Sequence, residues 1–595
     1  MPGIIKRLTN LFTYKEPKDV EGGYELLESK YEKKQNNTSQ QKKVQTTANQ
    51  DNTNVSGNQE ANKQKSKKTP MAVEEWNESR KNTDTGDDTN LATGQVSQNL
   101  SNNLEVIKQR FSVPKNNDII IREFKIARKL KAFLVFVNGM IDKQTLNRDL
   151  LPQLMSKDNF DELGEQCPAD YIMESVLSVN QISKEKKINE IIKEVLTGKT
   201  ALFIEGCTEC LLMETIGFEK RSVEQPVTES VVMGAHEGFN ENLKTNLTLM
   251  RRGVKNEKLM IEIIRIPNAN NKCCAVLYLD GAASPEVVRE VKRRIKSIDT
   301  DFVMGIGMLE QLIEDNPFAL FPQMLTTERP DRAASFIMDG KVVIFADGTP
   351  FALIVPISFL HLIHTSEDSA LRWQYGTALR FVRIIGILLA TFLPGLYIAL
   401  TLFHQEMIPT ELLSSIAKSK EEVPFPAVIE ILMLEIAFEL IREGGIRVPG
   451  IIGQTLGIIG ALILGEAAVA AGLVSPILII VVSVTGIGSF AIPNYSLSIG
   501  LRIIRFIFTI LGATAGFYGL SAGIVILGSW ACGMKSFGAP YFSPIAPKTK
   551  RGTDIIIKHP IWKQEMRADF INSQNVRRQP HISRGWTKQK GGDDK

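Results

Sequence analysis

The chain is 595 residues long, enough for several units of roughly 100 to 200 residues each. Its 70 Lys and Arg nearly balance 66 Asp and Glu, for a formal charge of +4, and the basic residues are scattered, which excludes the electrostatic footprint of a nucleic-acid binder. Apolar residues are unevenly placed: Ile384–Phe403, Ala467–Leu501 and Phe506–Met534 contain no Asp, Glu, Lys or Arg. A bilayer core needs about 20 apolar helical residues to cross it. The last third is therefore expected to lie in a membrane, and everything before about residue 370 to face water.

In chain order, Met1–Lys30 lacks the apolar core of a secretory signal, which predicts that the soluble part stays in the cytoplasm. Ile4, Ile5, Leu8, Leu11 and Phe12 fall near helical spacing beside Lys6 and Arg7. A short helix on a membrane surface and a disordered end with stray apolar residues both fit this pattern. From Tyr31 to Asn103 the chain is mostly Asn, Gln, Lys, Thr, Ser and Asp. Such a segment buries too little apolar surface to offset chain entropy, so residues 1–103 are expected to form a disordered hydrophilic leader.

Order is expected from about Ile119. Ala132–Val137 is strand-like, Asn138-Gly139 is a turn signal, and Lys143–Met155 has helical periodicity. The plan returns at Ala275–Leu279, Asp280-Gly281 and a helix from Pro285 to about Ile298 with Ser284 as its N-cap. Set side by side, FLVFVNGMIDKQTLNRDLL and AVLYLDGAASPEVVREVKR predict two related α/β subdomains, residues 104–195 and 196–300. Ala201–Ile204 and Cys210–Ile216 read as a hairpin, so the lone CxxC of Cys207 and Cys210 fits a turn better than half of a zinc site. A cytoplasmic location also argues against structural disulfides among the six cysteines. Arg221–Arg252 reads as an extended loop followed by a helix, and Met304–Asp315 as another helix. Asp339-Gly340 and Asp347-Gly348 separate the runs Ala334–Met338, Val342–Phe345 and Phe351–Val355, which predicts a β-meander. Residues 301–370 are thus expected to be a helix-and-meander linker to the membrane.

An α-helical polytopic membrane domain is placed at 371–534. Its first span, about Arg380–Phe403, holds Pro394-Gly395, where a kink is expected and a gating hinge is the further option. Pro424–Ile441 is apolar overall but carries Glu430, Glu435 and Glu439, followed by Arg442; Glu435, Glu439 and Arg442 share one helical face. Carboxylates at membrane depth usually face protein or a water-filled path; the alternative is a surface amphipathic helix whose glutamates meet water. Pro449–Gly472 repeats Gly453, Gly457, Ala461 and Gly465 at every fourth position, the pattern of tight helix packing, and carries Gln454 and Glu466. Val474–Ile492 forms another span and Phe506–Trp530 the last, with Gly512 and Gly516 on a further small ridge. Arg380 and Arg383 at one end and Lys548, Lys550 and Arg551 at the other predict both ends inside, hence an even number of spans. That gives four crossings with the glutamate helix interfacial or re-entrant, five being the alternative. Residues 535–595 complete the reading as a basic cytoplasmic tail.

The sequence shows no Walker A, GxSxG, HExxH or paired-CxxC pattern. No catalytic, cofactor or metal residue is assigned, and the chain is not expected to be an enzyme. His361 and His364, with Glu367 nearby, read as a juxtamembrane polar turn rather than a metal site.

Five stretches carry a family resemblance: RSVEQPVTESVVMGAHEGFNENLKTNLTLMRR (221–252), FPQMLTTERPDRAA (321–334), DGTPFALIVP (347–356), LPGLYIALTLFHQEMIPTELLSSIAKS (393–419) and VPFPAVIEILMLEIAFELIREGGIRVPGIIG (423–453). The chain resembles the A subunits of GerA-type spore germination receptors from about residue 105 to 545; Met233 and Ala235 depart from the Arg and Pro expected in the first motif. The resemblance implies a multi-pass protein of the inner spore membrane with its N-terminal domain cytoplasmic. It further implies a transporter-like B subunit that binds the nutrient, a lipoprotein C subunit, and a homo-oligomer forming a nutrient-gated cation channel. On that reading Pro394, Glu430, Glu435, Glu439, Arg442, Gln454 and Glu466 are candidates for the pore or gate, and acidic side chains favour cations. A nutrient-binding sensor or secondary transporter and a non-conducting scaffold of the germination complex are the alternatives.

Overall fold

The computed structural model describes residues 94–160, 168–177, 181–217, 225–266, 272–447, 460, 463–549 and 557–580. Of the leader expected over residues 1–103, the part before residue 94 lies outside the described residues, as do the packing or lining candidates Gly453, Gln454, Gly457 and Ala461, whereas residues 94–103 are ordered, with Gln95 bridged to Lys187 and a helix starting at Leu100. The described residues fall into two compact units, one within 25–222 and 244–262, the other within 223–243 and 263–595.

In the first unit, helix α1 (Leu100–Arg110) starts at Asn99, whose side chain accepts from the Ser101 amide. Strands β1 (Ile119–Ile126), β2 (Leu130–Val137), β3 (Ile182–Glu185), β4 (Thr200–Ile204) and β5 (Cys210–Met213) form a sheet in the order β1-β2-β4-β5-β3. Helix α2 (Ile188–Thr197) precedes β4 and ends on Gly198 at φ 109°. The continuous apolar run of β2 reflects burial on both faces. Phe133, Val135 and Val137 pack with Ile107, Ile191 and Val195 of α1 and α2, while Ala132, Leu134 and Phe136 pack with Leu146, Leu150 and Ile172 on the other side. The hairpin 200–213, expected to open a second subdomain, instead completes this sheet, because Ala132 of β2 registers with Ile204 of β4. Helix α3 (Leu243–Gly253) contributes Arg251, which has no exposed surface and grips Asp118 through Nε–Oδ2 at 2.7 Å and Nη2–Oδ1 at 2.9 Å.

The second sheet contains β6 (Leu259–Arg265), β7 (Cys273–Leu279), β8 (Leu325–Thr327), β9 (Val342–Ala346) and β10 (Ala352–Val355), in the order β6-β7-β9-β10-β8. That is the first sheet's order shifted by five strands. Helices α4 (Pro285–Lys296) and α5 (Ile306–Ile313) lie between its second and third strands, and α6 (Pro330–Met338) precedes its fourth as α2 does in the first. The repeat seen in sequence over one strand, turn and helix therefore extends to two whole five-stranded sheets. Residues 301–370 are no linker: they supply three of the second sheet's strands. Ala334–Met338 is helical rather than extended, because Arg329 is extended and Pro330 begins a helix at the position proline tolerates best.

Beyond this sheet come α7 (Trp373–Phe403), α8 (Thr410–Lys420), α9 (Ala427–Arg447), α10 (Pro476–Phe490) and α11 (Tyr495–Gly533). Among the described residues, α7 and α11 are long and apolar enough to cross a membrane, at 31 and 39 residues. α11 is two arms. Gly516 sits at φ 57° and ψ −136°, a conformation open essentially to glycine alone, and the chain doubles back there. A Cβ on Gly523 would lie 2.8 Å from Phe508 Cε1, and Gly500 and Trp530, near the two ends, meet the adjacent residues Leu320 and Phe321. The single last span expected at Phe506–Trp530 is thus the turn of a helical hairpin.

Close contacts fix the directions. The first arm of α11 runs parallel to α7, with Phe392 against Phe508 and Phe403 against Gly516. α10 runs against α7, bringing Ala491 to Gly386 and Gly488 to Ala390. α9 runs with α10, pairing Glu430 with Ser475 and Phe438 with Gly486. The described residues 535–549 and 557–580 do not hang free as the expected tail. Ser536 Oγ donates to the Gln323 carbonyl (2.7 Å), Tyr541 to Pro322 (2.7 Å), Arg567 Nε to Met338 (3.0 Å) and Ser573 Oγ to Ala282 (2.6 Å).

Candidate functional site: a charge cluster among the apolar helices

α9 faces the first arm of α11 antiparallel, so carboxylates four residues apart on one meet arginines three residues apart on the other. Glu439 accepts from Arg502 Nη1 at 2.5 Å and from Arg505 Nη2 at 3.2 Å. Glu435 stands 3.4 Å from Arg505 Nε, and both side chains are almost wholly enclosed. Arg442, one further turn along α9, donates to Ser489 Oγ (3.3 Å) and lies 4.7 Å over the Phe490 ring. Neither carboxylate oxygen of Glu435 has a hydrogen-bond partner. In such surroundings an intact pair contributes little net stability, but an orphaned partner is costly. The cluster therefore favours keeping both members of a pair over losing one.

Glu430 lies apart, at the other end of α9. Fully buried, it accepts from the backbone amide of Ser475 (3.0 Å), the residue capping α10, where the helix dipole favours a negative charge. Pro394 is buried within α7, which continues through it. Its neighbour Gly395 must be small, since a Cβ there would lie 2.6 Å from the Phe508 carbonyl oxygen, and one on Gly512 would lie 2.5 Å from the Gly395 carbonyl oxygen. Gly516 touches Phe403 and His404. Glu466 and Gly465 are exposed, and no atom lies within 4 Å of a Cβ built on Gly465. The structure thus joins Glu435, Glu439 and Arg442 and places Pro394, Glu430 and Glu466 elsewhere.

Arg502 and Arg505, which precede the last apolar run, have no part in the expectations drawn from the sequence above. The signal was available: two arginines bounded by apolar runs need counter-charges, and Glu435 and Glu439 have the complementary spacing.

The sequence matches the description Bacillus/Clostridium GerA spore germination protein over residues 105–570. The chain belongs to the GerA spore germination protein family. Spore germination protein KA of Bacillus subtilis (strain 168) is 38% identical over 500 residues, covering 82% of this chain and 91% of that protein. Spore germination protein GerLA of Bacillus cereus is 38% identical over 452 residues, covering 75% and 91%. Spore germination protein A1 of Bacillus subtilis (strain 168) is 35% identical over 450 residues, covering 75% and 91%. The crystal structure of the N-terminal domain of the A subunit of the Bacillus megaterium spore germinant receptor GerK3 is 31% identical. It covers 44% of this GerA-family chain and 97% of that domain, with a TM-score of 0.36.

Proposed function

We propose that this chain is the A subunit of a nutrient-responsive germination receptor in the inner spore membrane. Several copies assemble into a cation channel that opens when nutrient binds a transporter-like B subunit, with a lipoprotein C subunit completing the receptor. The observation carrying this reading is the Glu435–Glu439–Arg502–Arg505 cluster linking α9 to α11. Carboxylates neutralised by arginines in the closed protomer become a cation-selective lining once the helices part and water enters.

Among the described residues, the helix directions support at least five passes rather than four. α7, α9, α10 and the two arms of α11 supply five.

The test is potassium release from spores carrying Glu435→Gln or Glu439→Gln, paired with ion selectivity of the reconstituted receptor. The proposal expects altered release and weakened preference for cations. Unchanged flux and selectivity in both variants would remove the cluster from the conduction path.

A further inference from the structure

A second polar site lies outside the helical charge cluster. Where the chain enters α7, a cavity of 840 Å³ is walled by the second α/β domain, the segment leading into α7 and the folded-back C-terminal stretch. Seven of its lining residues are Lys or Arg and four are Asp or Glu, so positive charge is in excess. Arg567 donates to the carbonyls of Met338, Asn575 and Arg577, and Lys558 donates to those of Asp368 and Leu371. Carbonyl oxygens satisfy N–H donors but leave the unit charge in place.

Lys341 marks the point where a partner is missing. It is fully buried, and its Nζ has no hydrogen-bond acceptor, resting 4.0 Å from the centroid of the Phe336 ring. Ser366 Oγ, on another wall residue, is likewise buried without a partner. Enclosing an ammonium without an acceptor is unfavourable, and burial pushes the Lys341 amine down to about 7. An anion beside it would supply the acceptor and restore the charge.

We propose that this cavity at the foot of α7 binds an oxyanion of the phosphate class, contacted by Lys341 and Ser366 within the positive field of Arg567 and Lys558. Two sources share that chemistry: a phosphate-bearing solute and the headgroup of an acidic lipid. Arg380 of α7 lines the same cavity, so a headgroup could reach it from the membrane surface.

The experiment uses the full chain in phosphatidylcholine nanodiscs, melted with inorganic phosphate or with chloride at matched ionic strength, and again in discs containing phosphatidylglycerol. The wild type is expected to melt several degrees higher in at least one arm, and the responding arm identifies the source. Lys341→Met should fold at least as well as the wild type without anion, since it removes an unpartnered ammonium, and should lose the rise. Ser366→Ala, a milder change, should reduce it. No rise in either arm for the wild type, or an undiminished rise in both variants, would overturn the proposal.

Discussion

Removing the Arg505 guanidinium tests the logic of the helical cluster most directly. Arg505 is 2% exposed and its partner Glu435 1%, with 3.4 Å between Nε and Oε1. At an effective dielectric near 20, unit charges this close attract by about 5 kcal/mol. Desolvation consumes most of that when the pair forms, but deleting one member leaves the other buried and uncompensated, at a cost of about 3–5 kcal/mol. Glu439 keeps Arg502 at 2.5 Å, so the orphan in Arg505→Met is Glu435. The double variant Arg505→Met/Glu435→Leu removes both charges and should return to within about 1 kcal/mol of the wild type. Reversible unfolding of the full chain in mixed micelles, followed by helical signal, measures all three. A loss under about 1 kcal/mol for Arg505→Met, or a double variant that loses the sum of its singles, would refute the pairing argument.

At Gly516, φ 57° and ψ −136° combine with Phe403 Cβ only 3.0 Å from where a new Cβ would stand. Gly516→Ala should therefore cost about 1–3 kcal/mol and lower the melting temperature of the full chain. In the first unit, Asp118→Ala strands the fully buried Arg251 guanidinium, and denaturant unfolding should show a loss of about 3–5 kcal/mol. Burial, with repulsion from Glu314, raises the Glu310 carboxyl from 4.5 to about 7. The folded state then holds a proton that the unfolded chain releases, so stability falls as pH rises from 4.5 to 7. Glu310→Gln should flatten that slope and gain on the order of 2 kcal/mol at pH 8, read from urea midpoints at the two pH values.

Local chemistry was the most legible part of this sequence. Asn138-Gly139 and Asp280-Gly281 announced left-handed turns, found at φ 95° and 77°, and Ser284-Pro285 announced the start of α4. Partnership between distant segments was not legible. β4 and β5 join β2 by a register that no local pattern encodes, and Pro330–Met338 is short enough that its apolar residues fit a strand or a helix. Glu435 and Glu439 stood out because carboxylates in an apolar helix demand an explanation. Their arginines did not, because a charge beside an apolar run also reads as its boundary. The break in α11 was hidden because Gly516 lies among several glycines, all compatible with helix packing. The C-terminal stretch has no periodicity: Arg567 and Ser573 hold it by donating to backbone carbonyls, an interaction with no sequence signature.

The hairpin at Gly516 delivers the chain back beside Phe321, and Tyr541, Arg567 and Phe570 then finish the α/β domain that β6 began. The long apolar helices are thus an insertion within an α/β fold whose closing pieces follow them in the chain. Biosynthesis inherits an order from this: that domain stays incomplete until the helices from α7 to α11 have been made and the stretch after them has folded back.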